Sequence, residues 1–462
     1  MIYDLVIIGN GIIGTLCALN IKLQSPKLNI ALIGKSERPF SASTGAGAMA
    51  NVYAEIEKGP FRDETEARYL KIGLSAREKW LKILNKIKNK NKAVTAKDTI
   101  VFLKKTSSVF EEFNYTNMQE ASIVDKCSQK LTNNEIKSIF PDTYKNISDV
   151  TKLKGEFALC TKSLFLNLDK FINESDIKLI DRFVKKINLG SNNNLEIYLN
   201  DKPQIIKARK IIVAAGSNSS SLFSQKLNII PMLQGVGSAI ILNDIKSLPK
   251  SFNNYVIRTV NRGGAQCGLH TVPRSNGTLY LGAGNYISIP GLKTHRLETI
   301  RYLYDLFTNE LVGKKKSYSL LGDLSIGYRP RTIDGFPSIG YHDKYQNIFY
   351  ATGTNRVGLT WAPEISNEAT NWFFERESSG LFDGWHPNRK LIAYGNKEEC
   401  INYFVNSRIS AGLEHNNFSI NDIRKMKLLF KNLALKQLDF INKKYNGVNL
   451  NPDNWQSLLD LN

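Results

Sequence analysis

The first 35 residues combine two short apolar runs with a helical pattern between them. Residues 3–9 and 29–33 contain the continuous apolar runs 5–9 and 30–33, which are typical of parallel strands buried on both faces. Between them, apolar residues recur at the spacing of a helix, at Ile12, Leu16, Leu19 and Leu23. The pattern predicts a strand–helix–strand unit at the start of the chain.

Two further apolar runs that end in glycine, residues 210–216 and 348–353, lie far along the chain. We expect both in the same sheet as the first unit, because they have the same buried-strand pattern. The first domain is therefore predicted to be discontinuous, with pieces at residues 1–90, 151–229 and 326–380.

Residues 91–150 and 230–325 are predicted to form a second, α+β domain built on an antiparallel sheet. The later piece contains two alternating stretches, residues 269–272 and 278–282, separated by the turn sequence at 274–277. Alternation on both sides of an Asn-Gly turn predicts a β-hairpin.

Residues 381–462 are predicted to form a helical C-terminal extension. Its apolar residues recur at helical spacing, at Ile423, Met426, Leu429, Phe430 and Leu433. We expect Ile423, Met426, Phe430 and Leu433 to face inward against the rest of the protein.

The chain has 462 residues, of which 42% are hydrophobic and 23% are charged, a composition that excludes a disordered or fibrous protein. No apolar run approaches the roughly 20 residues that a membrane-spanning helix needs. The chain opens directly into a strand without a signal-peptide pattern, so we expect a cytoplasmic protein. The cysteines are scattered without a CxxC pair, which predicts neither disulfides nor a metal site; they are Cys17, Cys127, Cys160, Cys267 and Cys400.

The charge balance is strongly basic: 62 Lys and Arg residues against 42 Asp and Glu residues give a net charge of +20. Such an excess is compatible with a nucleic acid, an anionic surface or an acidic partner. The lysine-rich runs at 82–92 and 314–316 lie in polar stretches, where a solvated surface is the ordinary interpretation. We therefore do not expect nucleic acid as a partner.

Three glycines, Gly9, Gly11 and Gly14, follow the first strand and begin the helix in a GxGxxG pattern. In a dinucleotide site the first glycine permits the tight turn, the second admits the pyrophosphate and the third allows close helix packing. The acid expected about 20 residues later, which would bind the ribose, is absent, since that position is Gly34. Backbone groups, Ser36 or Glu37 are the alternatives for this contact.

Five motifs together resemble the D-amino-acid oxidase and glycine oxidase family of FAD-dependent amine oxidases. They occur in the family's order over residues 1 to about 375, at 9–14, 41–49, 211–222, 327–337 and 351–363. The resemblance implies an α/β fold in which a Rossmann-like FAD-binding domain, the discontinuous one, lies beneath a substrate domain.

The resemblance also implies which residues bind FAD. Besides Ser36, they are Gly9, Gly11, Gly14, Ser43, Thr44, Gly47, Met49, Gly216, Gly353, Gly358, Leu359 and Thr360. Some relatives attach flavin through a cysteine late in the chain. None occurs between Cys267 and Cys400, so noncovalent FAD is expected.

The resemblance assigns Arg329 to the substrate carboxylate, which a planar guanidinium can bind with two hydrogen bonds. The alternative is a structural ion pair with Asp334. Arg356 is a second candidate, and the substrate domain offers His270, Asn285 and Tyr286 as lining residues. The implied reaction moves a hydride from the α-carbon of an amino acid or amine to flavin N5, with oxygen or a quinone as the acceptor.

Two other functions remain open. A tRNA-modifying amine oxidase would use the basic charge, although the chain lacks an attached methyltransferase domain. A partner-docked flavoprotein would act on a carrier-bound substrate and would use residues 381–462 as its interaction module. A flavin monooxygenase is less favoured, because a GDAAH-like motif is missing from the later part of the chain.

Overall fold

The computed structural model describes residues 2–87, 93–190, 194–200, 204–223, 227–262, 268–291, 294–313, 322–414 and 418–461. The lysine-rich residues 88–92 and 314–316 and Cys267 lie outside the described residues. No helix among the described residues is long and apolar enough to span a membrane.

The predicted strand–helix–strand unit is confirmed as β1 (Ile2–Ile8), α1 (Ile12–Gln24) and β2 (Ile30–Ile33). β1 lies between β2 and β11 (Ile205–Val213) and pairs in parallel with both. β18 (Ile348–Thr352) pairs in parallel with β11. The two distant apolar runs therefore belong to the same sheet as the first unit, as predicted.

Four more described strands complete this first sheet, in the order β17-β18-β11-β1-β2-β8 with β10 and β9 added beside β11. They are β8 (Lys178–Ile180), β9 (Val184–Leu189), β10 (Leu195–Leu199) and β17 (Ser338–Tyr341). Its other long helices are α2 (Glu64–Lys86), α5 (Thr161–Glu174) and α8 (Gly358–Phe373). α1 and α8 pack against each other in a core that includes the buried Trp80 and Trp361.

The second sheet has the order β16-β12-β15-β14-β13-β4-β6-β5 in the described chain. Its strands are β4 (Thr99–Lys104), β5 (Ser128–Lys130), β6 (Ile147–Leu153), β12 (Met232–Leu242), β13 (Val256–Arg258), β14 (His270–Pro273), β15 (Leu279–Ser288) and β16 (Gly322–Thr332). Neighbours are antiparallel except β4 and β13, which are parallel. The predicted hairpin is confirmed as β14 and β15, joined by a turn in which Arg274 N donates to Thr278 O.

Shorter elements surround the second sheet. A two-stranded ribbon is formed by β3 (Val94–Ala96) and β7 (Ala158–Leu159). The helices are α3 (Val109–Val124), α4 (Asn133–Ile139), α6 (Ser251–Asn254) and α7 (Leu297–Leu306), which continues as one π-helical turn, Phe307–Val312. α7 packs on β12 and β15 and covers one face of this sheet.

Two strands of the second sheet cross the predicted domain boundaries. β16 continues past 326, and β6 continues past 151. β16 contacts both units, since Tyr328 N donates to Phe40 O while the strand pairs along its length with β12. The segment at 326–332 therefore belongs to the second sheet, and the rest of the domain division stays a prediction.

The C-terminal extension is helical, with α9 (Lys397–Glu414), α10 (Ile423–Lys444) and α11 (Trp455–Leu459). On α10 the buried apolar residues are Ala434, Leu438 and Ile441, and Met426 and Phe430 pack against the same cluster. Ile423 is half-buried. Leu433 is 41% exposed, so its predicted inward position is wrong. The inward stripe passes through Ala434, and Leu433 lies about 100° around the helix from it.

Buried polar contacts attach this extension to the segment that follows β16. Both carboxylate oxygens of Asp334 accept from Arg389 at 2.9 Å, and the two side chains are 0% and 3% exposed. Arg331 donates to Asn454, whose amide donates in turn to the carbonyls of Thr332 and Ile333. The extension is therefore an integral part of the packed body.

We expect Arg389→Ala to lower the free energy of unfolding by about 3–5 kcal/mol, because it leaves the buried Asp334 carboxylate without its cation. Denaturant unfolding followed by circular dichroism measures this change. Lys443→Ala is the matched control: its ion pair with Asp439 is fully surface-exposed and should contribute less than about 1 kcal/mol. Equal effects of the two substitutions would contradict this prediction.

Candidate active site

Two glycines at the junction of β1 and α1, Gly9 and Gly14, have no room for a side chain. Gly9 has φ +108°, and a β-carbon there would lie 2.2 Å from Ala214 O on the neighbouring chain. A β-carbon at Gly14 would lie 1.9 Å from Gly9 O, so the helix packs directly on the turn. The first turn of α1 carries no acidic residue. Its N-terminus therefore suits an anion such as a diphosphate.

A cavity at this turn is lined by three separate pieces of the chain. Its predicted lining residues are Gly9, Gly11, Ser43, Gly216, Gly358, Leu359, Arg329 and Arg356. The carboxyl ends of the parallel strands meet here, and Thr352 Oγ1 at the end of β18 donates to Gly216 O at 3.0 Å. Ser43 Oγ accepts from Ile12 N at 3.1 Å and so joins the 41–49 loop to α1.

The other predicted cofactor residues lie behind or beside the cavity lining. Thr44 Oγ1 donates to the carbonyls of Arg38 and Ser41. Thr360 Oγ1 donates to Met49 O. Gly353 has φ +74°, and a β-carbon there would lie 2.8 Å from Ser338 N. These residues shape the turn geometry around the cavity.

Near Gly34, the residues that line the cavity are not the side chains that the sequence suggested for a ribose contact. Ser36 and Glu37 are exposed and do not line the cavity, whereas Lys35 and Arg38 do. A β-carbon at Gly34 would lie 2.3 Å from Asn10 Oδ1, so Asn10 occupies the space of a side chain there. Arg38, which pairs with Asp169, also donates to Asn10 O. Sequence analysis missed these residues; only the Asn inside the glycine motif gave a signal.

The second sheet contacts the small-residue loop through His270 and Tyr280. Tyr280 Oη donates to Gly45 O at 3.1 Å, and a β-carbon at Gly47 would lie 3.3 Å from His270 Nε2. His270 is buried, and burial together with the nearby Arg258 lowers its pKa to about 3. It is therefore neutral at ordinary pH. Within this contact His270 supports the loop.

Arg329 lies on β16 opposite Gly235 of β12. Its Nη1 donates to Asn285 Oδ1 at 2.7 Å. Among the described residues, no carboxylate lies within 4 Å of its guanidinium nitrogens. The residue lines the cavity with its positive charge uncompensated by a described side chain.

Six other buried or half-buried arginines of the site region pair with carboxylates, whereas Arg182 and Arg274 donate to backbone carbonyls. The pairs are Arg38–Asp169, Arg258–Glu55, Arg262–Glu111, Arg331–Asp453, Arg356–Glu57 and Arg389–Asp334. The alternative ion pair between Arg329 and Asp334 is therefore wrong, because Asp334 pairs with Arg389.

Arg356 reaches the cavity already paired. Its Nη2 donates to Glu57 Oε1 at 2.6 Å, and its Nε lies 3.7 Å from Glu55 Oε2. Burial opposes ionisation of Glu55, but Arg258 and Arg356 together lower the pKa of Glu55 to about 2. Arg356 thus belongs to a compensated charge network, unlike Arg329.

Tyr286 and Asn285 project from opposite faces of β15, as consecutive strand residues do. Asn285 contacts Arg329, whereas Tyr286 Oη donates to Thr294 O at 2.8 Å and its ring packs under Arg296. The structure therefore does not bring Tyr286 to Arg329. No group of three or more His, Cys, Asp or Glu side chains in the described chain is arranged to hold a metal ion.

Comparisons with known proteins agree on the fold. The glycine oxidase from Geobacillus kaustophilus superposes with a TM-score of 0.70 at 16% identity, covering 84% of this chain and 98% of that chain. The L-α-glycerophosphate oxidase from Mycoplasma pneumoniae, solved with FAD bound, gives 0.67 at 17% identity over 81% and 95%. The L-proline dehydrogenase from P. horikoshii gives 0.66 at 17% identity over 84% and 97%. No curated protein sequence matches the chain.

An extended dinucleotide such as FAD fits this cavity, because Gly9 and Gly14 leave the backbone of the turn and the N-terminus of α1 accessible to its diphosphate. Residues 4–372 match the family described as DAO, FAD-dependent oxidoreductase. That match covers most of the chain and includes both sheets. The chain belongs to the DAO family of FAD-dependent oxidoreductases.

Proposed function

We propose that this protein oxidises the C–N bond of an amino acid or a related amine that carries a carboxylate. When bound, FAD supplies the oxidising group, which accepts a hydride at N5. The observation that carries the proposal is the charge of Arg329, which lines the cavity without a carboxylate partner among the described residues.

A partly buried guanidinium without a counter-ion is unfavourable, so a ligand that supplies one gains binding energy. A carboxylate matches the guanidinium geometry and can accept two hydrogen bonds from it. A ligand carboxylate gains less from Arg356, because Glu57 and Glu55 already compensate the charge of its guanidinium. The substrate carboxylate is therefore assigned to Arg329 alone.

The chain's own contribution to the reaction is binding and orientation. Arg329 holds the carboxylate, and Asn285 limits rotation of its guanidinium through the 2.7 Å hydrogen bond. His270, being neutral, adds no second cation on this face of the sheet. Tyr280 and His270 hold the loop at Gly45–Gly47 against the second sheet.

The similar structures support an amino-acid substrate without deciding it. Two carry the names glycine oxidase and L-proline dehydrogenase, whereas a third is an L-α-glycerophosphate oxidase. The same fold therefore accompanies substrates with and without an amine. A guanidinium binds a phosphate as well as a carboxylate, so a substrate panel that includes both classes distinguishes them.

The tRNA-modifying and partner-docked alternatives stay untested predictions. The extension does not resemble a detached interaction module, since Arg389 and Asn454 bind the segment after β16 inside the body.

We expect the purified protein to be yellow and to release intact FAD when denatured by acid, because no cysteine lies in the late flavin-binding block, residues 351–363. Gly11→Leu should abolish flavin binding, since a branched side chain would fill the turn beside Ser43. The ratio of flavin absorbance to protein absorbance measures both. Flavin retained in the acid precipitate would contradict noncovalent binding.

We expect Arg329→Lys to weaken binding of a carboxylate substrate by about ten- to a hundredfold, because lysine keeps the charge but loses the planar fork, a difference of roughly 1.5–3 kcal/mol. Arg329→Ala should weaken it further. Steady-state kinetics with a panel of amino acids, each at varied concentration, measures the change in kcat/KM.

Arg301→Lys is the matched control for Arg329, because Arg301 is 70% exposed and pairs only with Asp305 on the surface of α7. It should leave both kinetics and flavin content unchanged. Near-normal efficiency of Arg329→Ala with a carboxylate substrate would show that the arginine has a structural role.

A further inference from the structure

The guanidinium of Arg329 lies directly over the backbone of Gly237 on β12. A β-carbon at Gly237 would lie 2.7 Å from each of Cζ, Nη1 and Nη2 of Arg329. Three equal distances place that carbon over the face of the guanidinium and not at its edge. The guanidinium therefore lies flat on the sheet, in the space that the side chain of any residue other than glycine would occupy at position 237.

The strand registers explain this placement. Arg329 pairs with Gly235 across β12 and β16, and Gly237 pairs with Asn285 across β12 and β15. Directly paired residues, and residues two apart on a strand, project from the same face. Arg329 therefore reaches diagonally over Gly237 to the amide oxygen of Asn285.

Backbone conformation does not require glycine at this position. Gly237 is absent from the residues with positive φ and lies inside the regular strand β12. A glycine within a strand is unfavourable, since it has no side chain to pack and loses more entropy on folding. Space for the guanidinium is the physical reason that the structure offers for glycine here.

The flat placement also decides how a ligand can approach. Guanidinium N–H groups donate in the plane of the group. A guanidinium lying along the sheet therefore receives a carboxylate beside it, in a plane parallel to the sheet. Asn285 occupies one donor of Nη1 and so limits which edge the ligand can use.

We propose that Gly237 is a positioning residue for substrate binding, because it lets the Arg329 guanidinium lie flat on the second sheet and so aims its donors at a carboxylate ligand. This inference rests on the proposed function, in which Arg329 binds that carboxylate. Gly237 itself acts only through Arg329.

The test compares Gly237→Ala with Gly235→Ala in the FAD-loaded protein. Binding of a non-reacting carboxylate, acetate or benzoate, is titrated through the change in flavin absorbance. Gly237→Ala should weaken binding at least about tenfold, the loss of one charge-assisted hydrogen bond. Gly235→Ala should weaken it less, because its β-carbon would meet Asn285 Oδ1 at 3.2 Å and Arg329 Cβ at 3.3 Å, and the guanidinium is not among its three nearest neighbours.

A second readout is the unfolding temperature in two backgrounds. Gly237→Ala should lower it in the wild-type background, where the new methyl group meets the guanidinium. It should not lower it in an Arg329→Ala background, where that space is empty. This comparison needs only folded protein and remains informative if the single variant binds no flavin.

The outcomes separate the two proposals. Unchanged carboxylate affinity in Gly237→Ala, with Arg329→Ala defective, overturns the positioning role and leaves the proposed function standing. The same loss of unfolding temperature in both backgrounds also overturns it. An equal flavin response to carboxylates in the wild-type protein and in Arg329→Ala overturns the proposed function, and the positioning role with it.

Discussion

β11 pairs in parallel with β1 on one side and with β18 on the other, although the three strands come from distant parts of the chain. Parallel strands place their carboxyl ends at one edge of the sheet, and in doubly wound folds ligands bind at that edge. Gly9 and Gly216 follow the first two strands and line the same cavity, and Gly353 follows the third. The turns at Gly9 and Gly353 tolerate no side chain, because backbone atoms of another piece already lie where a β-carbon would be. A register shift of one residue would move these turns out of line.

Compensation of buried charge distinguishes Arg329 from three other arginines of the site region. Removing a guanidinium from water is unfavourable unless a partner repays the loss. The molecule satisfies this condition for Arg258, Arg356 and Arg389 with carboxylates of its own. Arg329 has only the neutral amide of Asn285 among its described partners. Arg329 differs in this from Arg258, Arg356 and Arg389, and a ligand carboxylate would supply the partner that they have.

The C-terminal extension stabilises the site from behind. Asp334 belongs to the same block as Arg329, and its carboxylate accepts from Arg389 and from Ile392 N of the extension. Asn454 caps two carbonyls at the end of β16. β16 is therefore held at one end by the extension and along its length by β12. The strand that carries Arg329 is therefore contacted both by the extension and by β12.

The sequence alone determined the strand–helix–strand unit, the discontinuous first sheet, the β14–β15 hairpin and the helical extension, because apolar periodicity and turn glycines are local signals. It also singled out the glycine turn and Arg329, through motifs that resemble a family now confirmed. Only the tertiary structure decided that Asn10 fills the space at Gly34, that Tyr286 faces away from Arg329, and that Leu433 is exposed. It alone showed that Arg329 has no carboxylate partner among the described residues and that Gly237 lies beneath it. The physical reason is that ion pairs and close contacts join residues far apart in the chain, and local periodicity does not specify the partner.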